Sequence, residues 1–164
     1  MVKTGSAARA ATFKNELCSI RSVAHEDFDE LLVTFEANPS GTVDDDHLEE
    51  ALQEMSKFYS SKERAARKFF TRIDFCAWIP LCNPTYLFRV AQFFQTHRDV
   101  FLAGCLCTVL ITDNQALRSV VNMFLKFYSK TRPVYIVDPN FDVPEAVRKD
   151  FMSNGSCFRG LDIK

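Results

Sequence analysis

The sequence contains no apolar run long enough to cross a bilayer. Nowhere in its 164 residues do about 18 consecutive apolar side chains occur. Residues 1–22 also lack the apolar centre of a secretory signal. Only five glycines are present, and they form no Gly-rich phosphate-binding loop. We therefore expect no transmembrane segment and no cofactor.

Neither the net charge nor the three histidines indicate a particular binding or catalytic activity. The net charge is −1, so the chain has no overall basic field that would attract nucleic acid. The three histidines fall in an acidic turn (His25), beside acids at a helix start (His47) and near a helix end (His97). None stands in a pattern with a nucleophile. We expect no catalytic residue and a protein that is not an enzyme.

The six cysteines do not indicate a disulfide framework. Most lie inside apolar runs, where a free thiol behaves as a small buried hydrophobe. This usage is typical of a reducing compartment, so we expect a cytoplasmic location. The basic, acid-poor residues 1–22 keep organellar import open as an alternative. Cys105 and Cys107 are expected to share one face of a strand. They have no further ligands nearby, so we expect no metal site.

The abundant residue is phenylalanine, with 16 copies that require a core or an interface to cover them. The hydrophobic pattern predicts the order β-β-α-β-α-β-α-β-α, with helices beginning near Asp44 and at Pro84. Such alternation indicates an α/β domain with a mostly parallel sheet of about five strands and an antiparallel N-terminal edge. We expect a flexible arm over residues 1–16, one domain over 17–153 and a tail over 154–164.

The run "CLCTVLIT" at residues 105–112 is the most apolar strand of the sequence. Its uninterrupted apolar character predicts a central strand that is covered on both faces. The two sets expected to be buried on opposite faces are Cys105, Cys107 and Val109, and Leu106, Thr108 and Leu110.

Three segments together carry a family resemblance. They are "FFTRIDFCAWIPLCNPTYLFRVAQFF", "CLCTVLITDNQALRSVVNMF" and "FLKFYSKTRPVYIVDPNFDVPEAV". In order and spacing the chain resembles the STAS domain of bacterial anti-anti-sigma factors and sulfate-transporter C-terminal domains, over about residues 17–153. The resemblance implies a non-catalytic interaction or regulatory module, in some cases a subunit of a larger assembly.

One feature of the bacterial STAS proteins is missing from this chain. They carry a phosphorylatable Ser in an Asp-Ser-Ser/Thr-Gly turn, whereas here Asp74 is followed by Phe75 and Cys76. The serine switch therefore does not carry over, and Thr85 is the only Ser or Thr hydroxyl near the start of the following helix. STAS-like folds are also close to CRAL-TRIO lipid-binding domains, so a small-ligand or lipid-binding domain is the alternative function.

The loop Ala77–Thr85 is the best-placed candidate for a partner surface. It leaves the carboxyl end of a predicted parallel strand, which is where open α/β sheets bind ligands and partners. The partner-binding candidates are Trp78, Ile79, Leu81, Asn83 and Thr85. They combine apolar side chains that are unfavourable in water with a helix N-terminus that offers free N–H groups. The alternative is that Trp78 folds back onto the core. We expect the partner to be another protein, or a second copy of the chain.

A basic segment, "SKERAARKFFTR", is the candidate for anion binding. Its members are Lys62, Arg64, Arg67 and Lys68. The local alternative is a solvated helix end whose cations complement the helix dipole. The functional interpretation is contact with an acidic partner or with a peripheral anionic membrane. The acids Asp44–Asp46 are explained by a helix N-terminus rather than by a bound cation.

Overall fold

The computed structural model describes residues 12–37, 42–65, 67–75, 84–127 and 133–154, which form an α/β fold with one six-stranded sheet. The strands are β1 (Thr12–Lys14), β2 (Cys18–Ala24), β3 (Asp29–Phe35), β4 (Phe69–Asp74), β5 (Cys105–Ile111) and β6 (Val134–Val137). The helices are α1 (Asp45–Ala65), α2 (Pro84–Thr96), α3 (Arg98–Gly104), α4 (Gln115–Phe127) and α5 (Val143–Asn154).

The sheet is mixed, with its strands in the spatial order β1-β2-β3-β4-β5-β6. The pairs β1–β2 and β2–β3 are antiparallel, and β3 through β6 are parallel neighbours. The prediction of an α/β fold with an antiparallel N-terminal edge is confirmed. The predicted sheet of about five strands is corrected to six, because residues 12–14 form β1 at the edge. Sequence reasoning had assigned these residues to the arm.

Local caps fix the helix starts. The Asp44 carboxylate accepts hydrogen bonds from the backbone N–H groups of Asp46 and His47, at 2.9 and 3.2 Å. The side chain of Asn114 accepts one from the N–H of Leu117 at 3.0 Å, at the start of α4. These are the side-chain-to-backbone bonds that begin a helix. The predicted start of α2 at Pro84 is confirmed, whereas α3 was not predicted as a separate helix.

Apolar side chains are buried on both faces of the sheet. One cluster joins α1 and α3 to the sheet and is centred on Tyr59, Phe69 and Phe101. The other packs Val143 and Val147 of α5 against the opposite face. Much of the phenylalanine content thus lies in the core, as expected for rings that need cover.

A β-bulge in β5 changes the predicted pattern of faces. Phe69 pairs with Cys105 but Thr71 pairs with Thr108, so β5 carries one extra residue opposite β4. A bulge places consecutive residues on one side and shifts the alternation beyond it. Cys105 therefore belongs to the α1 cluster and Cys107 to the α5 cluster. The prediction that these two cysteines share a face is wrong.

The two sets predicted for β5 are accordingly mixed between the faces. Every residue from 105 to 111 is buried or half-buried, so the expectation of a strand covered on both sides holds. The three cysteines that the structure describes, Cys18, Cys105 and Cys107, are buried free thiols. Burial, with a smaller contribution from Glu36, raises the pKa of Cys18 to about 12. This thiol is therefore protonated and unreactive at neutral pH.

Among the described residues, none of the helices is sufficiently long and apolar to span a membrane.

Candidate interaction surface

The predicted partner loop lies mostly outside the described residues, which do not include Trp78, Ile79, Leu81 and Asn83. Thr85, the fifth candidate, is exposed in the first turn of α2, which directly follows the loop.

The outer face of α2 carries an exposed aromatic ring. Phe88 is 63% exposed, the largest value among the exposed bulky apolar side chains of the described chain. Its exposed neighbours along the helix are Thr85, Gln92 and Gln95, at intervals of three and four residues. This spacing places the four side chains along one helix face. That face consists of polar but uncharged side chains around a phenylalanine.

The helical hydrogen bonds are interrupted between α2 and α3. The N–H of His97 binds Phe93 O at the end of α2, and the N–H of Phe101 binds His97 O at the start of α3. His97 itself has a non-helical backbone, with φ −96° and ψ 15°. Leu102, on α3, is a further exposed apolar side chain, at 45%.

The single charged residue of α2, Arg89, is already engaged within the chain. Its guanidinium contacts Asp45 at 3.1 Å and Glu49 at 3.2 Å, both on α1. The exposed stripe of α2 therefore has no charged side chain of its own. We call Thr85, Phe88, Gln92 and Gln95 the outer seam.

The predicted anion-binding residues do not form one open patch. Lys62 and Arg67 both contact the buried carboxylate of Asp29. The contact of Arg67 joins its Nε to Asp29 Oδ1 at 2.9 Å. Burial alone would raise the pKa of Asp29, but the hydrogen bonds and charges of Lys62 and Arg67 outweigh it and hold that pKa below its ordinary value. Lys68 donates to the carbonyl of Ala103 at 2.8 Å.

Most of these cations thus join the end of α1 and the start of β4 to neighbouring elements. Nothing is described of the Arg64 side chain. Anion binding by the segment stays a prediction.

A second buried carboxylate, that of Glu30, follows Asp29 in the chain, and the sequence analysis did not predict it. Glu30 has only 2% of its side chain exposed and lies between His25 Nε2 at 2.8 Å and the Arg72 guanidinium at 2.6 Å. The ring of His25 also packs on Phe28 and Phe70. A buried carboxylate between two such partners is compensated rather than left isolated. The segment "AHEDFDE", which ends at Glu30, resembles a solvated turn in the sequence. Arg72, the partner of Glu30, lies far along the chain.

A cleft of about 920 Å³ opens at the carboxyl end of β3. Its walls include Lys14 and Glu36, whose Nζ and Oε1 atoms are 3.4 Å apart. They also include Asp44, which precedes α1, and His47 in the first turn of α1. Asn15 fixes one wall by donating to His47 O at 2.9 Å. In the part of the chain that the structure describes, no three His, Cys, Asp or Glu side chains are grouped to hold a metal ion.

Comparison with protein-family models, curated proteins and solved structures returns no match to this chain. The class that the fold defines is thus an α/β domain with a mixed sheet, and the STAS-like relationship remains a proposal.

Proposed function

We propose that this protein is a non-catalytic protein-interaction module of STAS-like type, which binds another protein through the outer seam. The single observation that carries the proposal is Phe88, a 63%-exposed aromatic ring at the centre of an uncharged helix face. Aromatic anchors surrounded by uncharged residues are typical of the centres of protein interfaces, where charged side chains are depleted.

The energetics favour covering Phe88. Complete burial would remove on the order of 100 Å² of apolar surface from water, which is worth about 2.5 kcal/mol at about 25 cal/mol per Å². Lone exposed apolar residues are common on protein surfaces. What distinguishes Phe88 is its position among uncharged side chains, since Arg89, the charged residue of α2, is held on α1.

The predicted loop adds to the same surface by its position in the chain. It ends where α2 begins, so Trp78, Ile79 and Leu81 precede the exposed turn of Thr85 and Phe88 by a few residues. In this proposal the loop supplies further apolar contacts, and the start of α2 supplies N–H groups for an acidic residue of the partner.

The test uses a photo-crosslinking amino acid, benzoylphenylalanine, at one of two exposed glutamines. Gln92 lies on the outer seam and Gln53 lies on the outer side of α1, so the second position is the matched control. In living cells we expect a discrete protein adduct from position 92 that disappears when Phe88→Glu is added. The adduct should persist with Met123→Glu, which changes an apolar side chain of similar exposure on α4.

No adduct from position 92, or one that survives Phe88→Glu in a folded chain, would overturn the proposal.

The alternative function, small-ligand binding, is favoured by a different observation. The 920 Å³ cleft falls in the size range of small-molecule sites. Its charged and polar lining suits a small polar molecule better than a lipid. Native mass spectrometry of the purified chain tests it, because a retained ligand adds a defined mass. If that mass is lost on His47→Ala but kept on Phe88→Glu, the cleft is the site.

A further inference from the structure

A groove of about 330 Å³ lies between α1 and α2, directly beside the outer seam. Its apolar lining residues are Leu52 of α1 and Phe93 of α2, two half-buried side chains that pack against the core. Uncharged polar side chains, among them Gln53 and Gln92, complete much of its rim. Gln92 also belongs to the outer seam, so a partner that covers Phe88 reaches the groove within one helical turn.

One end of the groove carries excess negative charge. Arg89 and Glu49 line this end, and the guanidinium of Arg89 contacts both Asp45 at 3.1 Å and Glu49 at 3.2 Å. The side chains of the two acids are 73% and 56% exposed. Because one guanidinium is shared between two carboxylates, one negative charge is left over on this flank. Asp46, exposed in the same turn of α1, adds to it.

We propose that the partner on the outer seam is an amphipathic helix with Lys or Arg along one edge, which lies over the groove between α1 and α2. This inference rests on the proposed function and names the kind of partner. Apolar side chains of that helix cover Phe88 and enter the groove beside Leu52 and Phe93. Its basic side chains face Asp45 and Glu49, where they compensate the excess negative charge.

A helix suits this surface better than an extended segment. Apart from their ends, α1 and α2 bond their backbone N–H and C=O groups internally, so the surface offers no strand edge for pairing. An extended partner would leave its own backbone groups without protein partners along the contact, whereas a helix bonds them itself. The strands on either side of α1 and of α2 are parallel neighbours, so both helices run in the same direction. The groove between two such helices is a shape into which a third helix packs.

The length of the outer seam sets the size of the contact. From Thr85 to Gln95 it spans about 15 Å, at about 1.5 Å per residue. About three turns of a partner helix cover this length, with apolar side chains at intervals of three and four residues. Such a footprint is smaller than the roughly 800 Å² per partner of a standard interface. We therefore expect a weak complex whose charged flank makes it sensitive to salt.

The experiment removes the two halves of one ion pair separately. Arg89→Gln, and the double change Asp45→Asn with Glu49→Gln, both break the contact between α1 and α2. A merely structural role of this contact predicts effects in the same direction. A basic partner predicts opposite effects, because the first change makes the flank more acidic and the second makes it neutral or basic.

The readout is the yield of the adduct from benzoylphenylalanine at position 92, in cell extract diluted until the yield is far from saturation. We expect Arg89→Gln to raise this yield by about two- to five-fold and the double change to lower it by a similar factor. The matched control is the ion pair of Lys57 and Glu54, which lies on α1 outside the groove. Lys57→Gln and Glu54→Gln should each leave the yield unchanged. Thermal melts check that every variant is folded.

Tandem mass spectrometry of the adduct then identifies the bound segment. We expect Lys or Arg three or four residues from an apolar residue in the cross-linked peptide. A yield that changes in the same direction with both groove variants, or with neither, would overturn the basic helix, and so would an acidic cross-linked peptide. In those cases an adduct that still depends on Phe88 leaves the proposed function standing. If no adduct forms, the proposed function fails and this inference fails with it.

Discussion

The outer faces of α1 and α2 differ in how their side chains are satisfied. On α1 the exposed residues are mostly charged or amide-bearing, and they bind one another: Gln53 donates to Glu49, and Lys57 pairs with Glu54. On α2 the exposed residues are uncharged and surround Phe88. The two helices are linked across their boundary by Arg89, which reaches from α2 to the acids of α1.

The contacts of the exposed side chains, rather than the type of helix, distinguish the solvated surface of α1 from the proposed interaction surface of α2. α1 buries one face in the core and α2 packs half-buried side chains against it, yet only the α1 surface is rich in charge and in local ion pairs. A surface such as that of α1 loses hydration when it is covered, whereas covering Phe88 is favourable. The predictions below test this contrast, from the largest expected effect to the smallest.

The ring of Tyr59 packs α1 against α2 and α3. It is fully buried, and its ring contacts those of Phe93, His97 and Phe101. We expect Tyr59→Ala to lower the free energy of unfolding by about 3–5 kcal/mol, because it leaves a large cavity. Chemical denaturation measures this.

Tyr59→Phe is the matched control for that change. It keeps the ring but leaves the buried Thr71 hydroxyl, 2.9 Å from the Tyr59 oxygen, without its partner. The expected loss is about 1–2 kcal/mol. Equal losses for the two variants would contradict the role given to the ring.

Asp29 anchors the C-terminal end of α1 through Lys62. Asp29→Asn should destabilise the fold by about 2 kcal/mol at neutral pH, because Lys62 and Arg67 lose the charge of their buried partner. Asp27→Asn, at an exposed position of the same turn, is the control and should change little.

The same residue gives a pH prediction. Since its partners hold the pKa of Asp29 below the unfolded value, the charged carboxylate contributes stability above about pH 4. That contribution is lost as the pH falls from about 4 through the lowered pKa. The stability difference between wild type and Asp29→Asn should therefore shrink in this range. A constant difference down to low pH would contradict the assignment.

Arg89 should matter less, although it joins the two contrasting faces. Its acidic partners are largely exposed, and such pairs contribute about 0–1 kcal/mol. We expect Arg89→Ala to destabilise by less than about 1 kcal/mol, with the effect reduced at high salt. A thermal melt in low and high salt measures it, and an effect unchanged by salt would argue for packing rather than charge.

Local patterns in the sequence were sufficient to predict much of the fold. Asp44 marks a helix start through hydrogen bonds to near neighbours, and Pro84 marks one through the backbone angle that its ring fixes. β1 was missed because "TFK" has no pattern of its own, and its strand conformation depends on pairing with β2. The bulge was missed because the apolar run of β5 hides any change in alternation. Its cause lies in the register with β4.

The site was less predictable for the same physical reason. Lys62 and Arg67 lie more than 30 residues from Asp29, and no local pattern shows that one buried carboxylate binds both. Phe88 did leave a signal, since it falls outside the apolar stripe of Leu87, Val90, Ala91 and Phe94. An aromatic residue off the apolar stripe of a helix was the observation to follow.

The most direct test of the account is whether Phe88 is covered in the cell. Hydroxyl-radical footprinting reads the oxidation of single side chains, and it would compare living cells with the dilute purified chain. We predict that Phe88 is protected in cells and oxidised in dilute solution, while the similarly exposed Met123 on α4 reacts equally in both. Equal oxidation of Phe88 in the two samples would contradict the claim that the outer seam is an interaction surface.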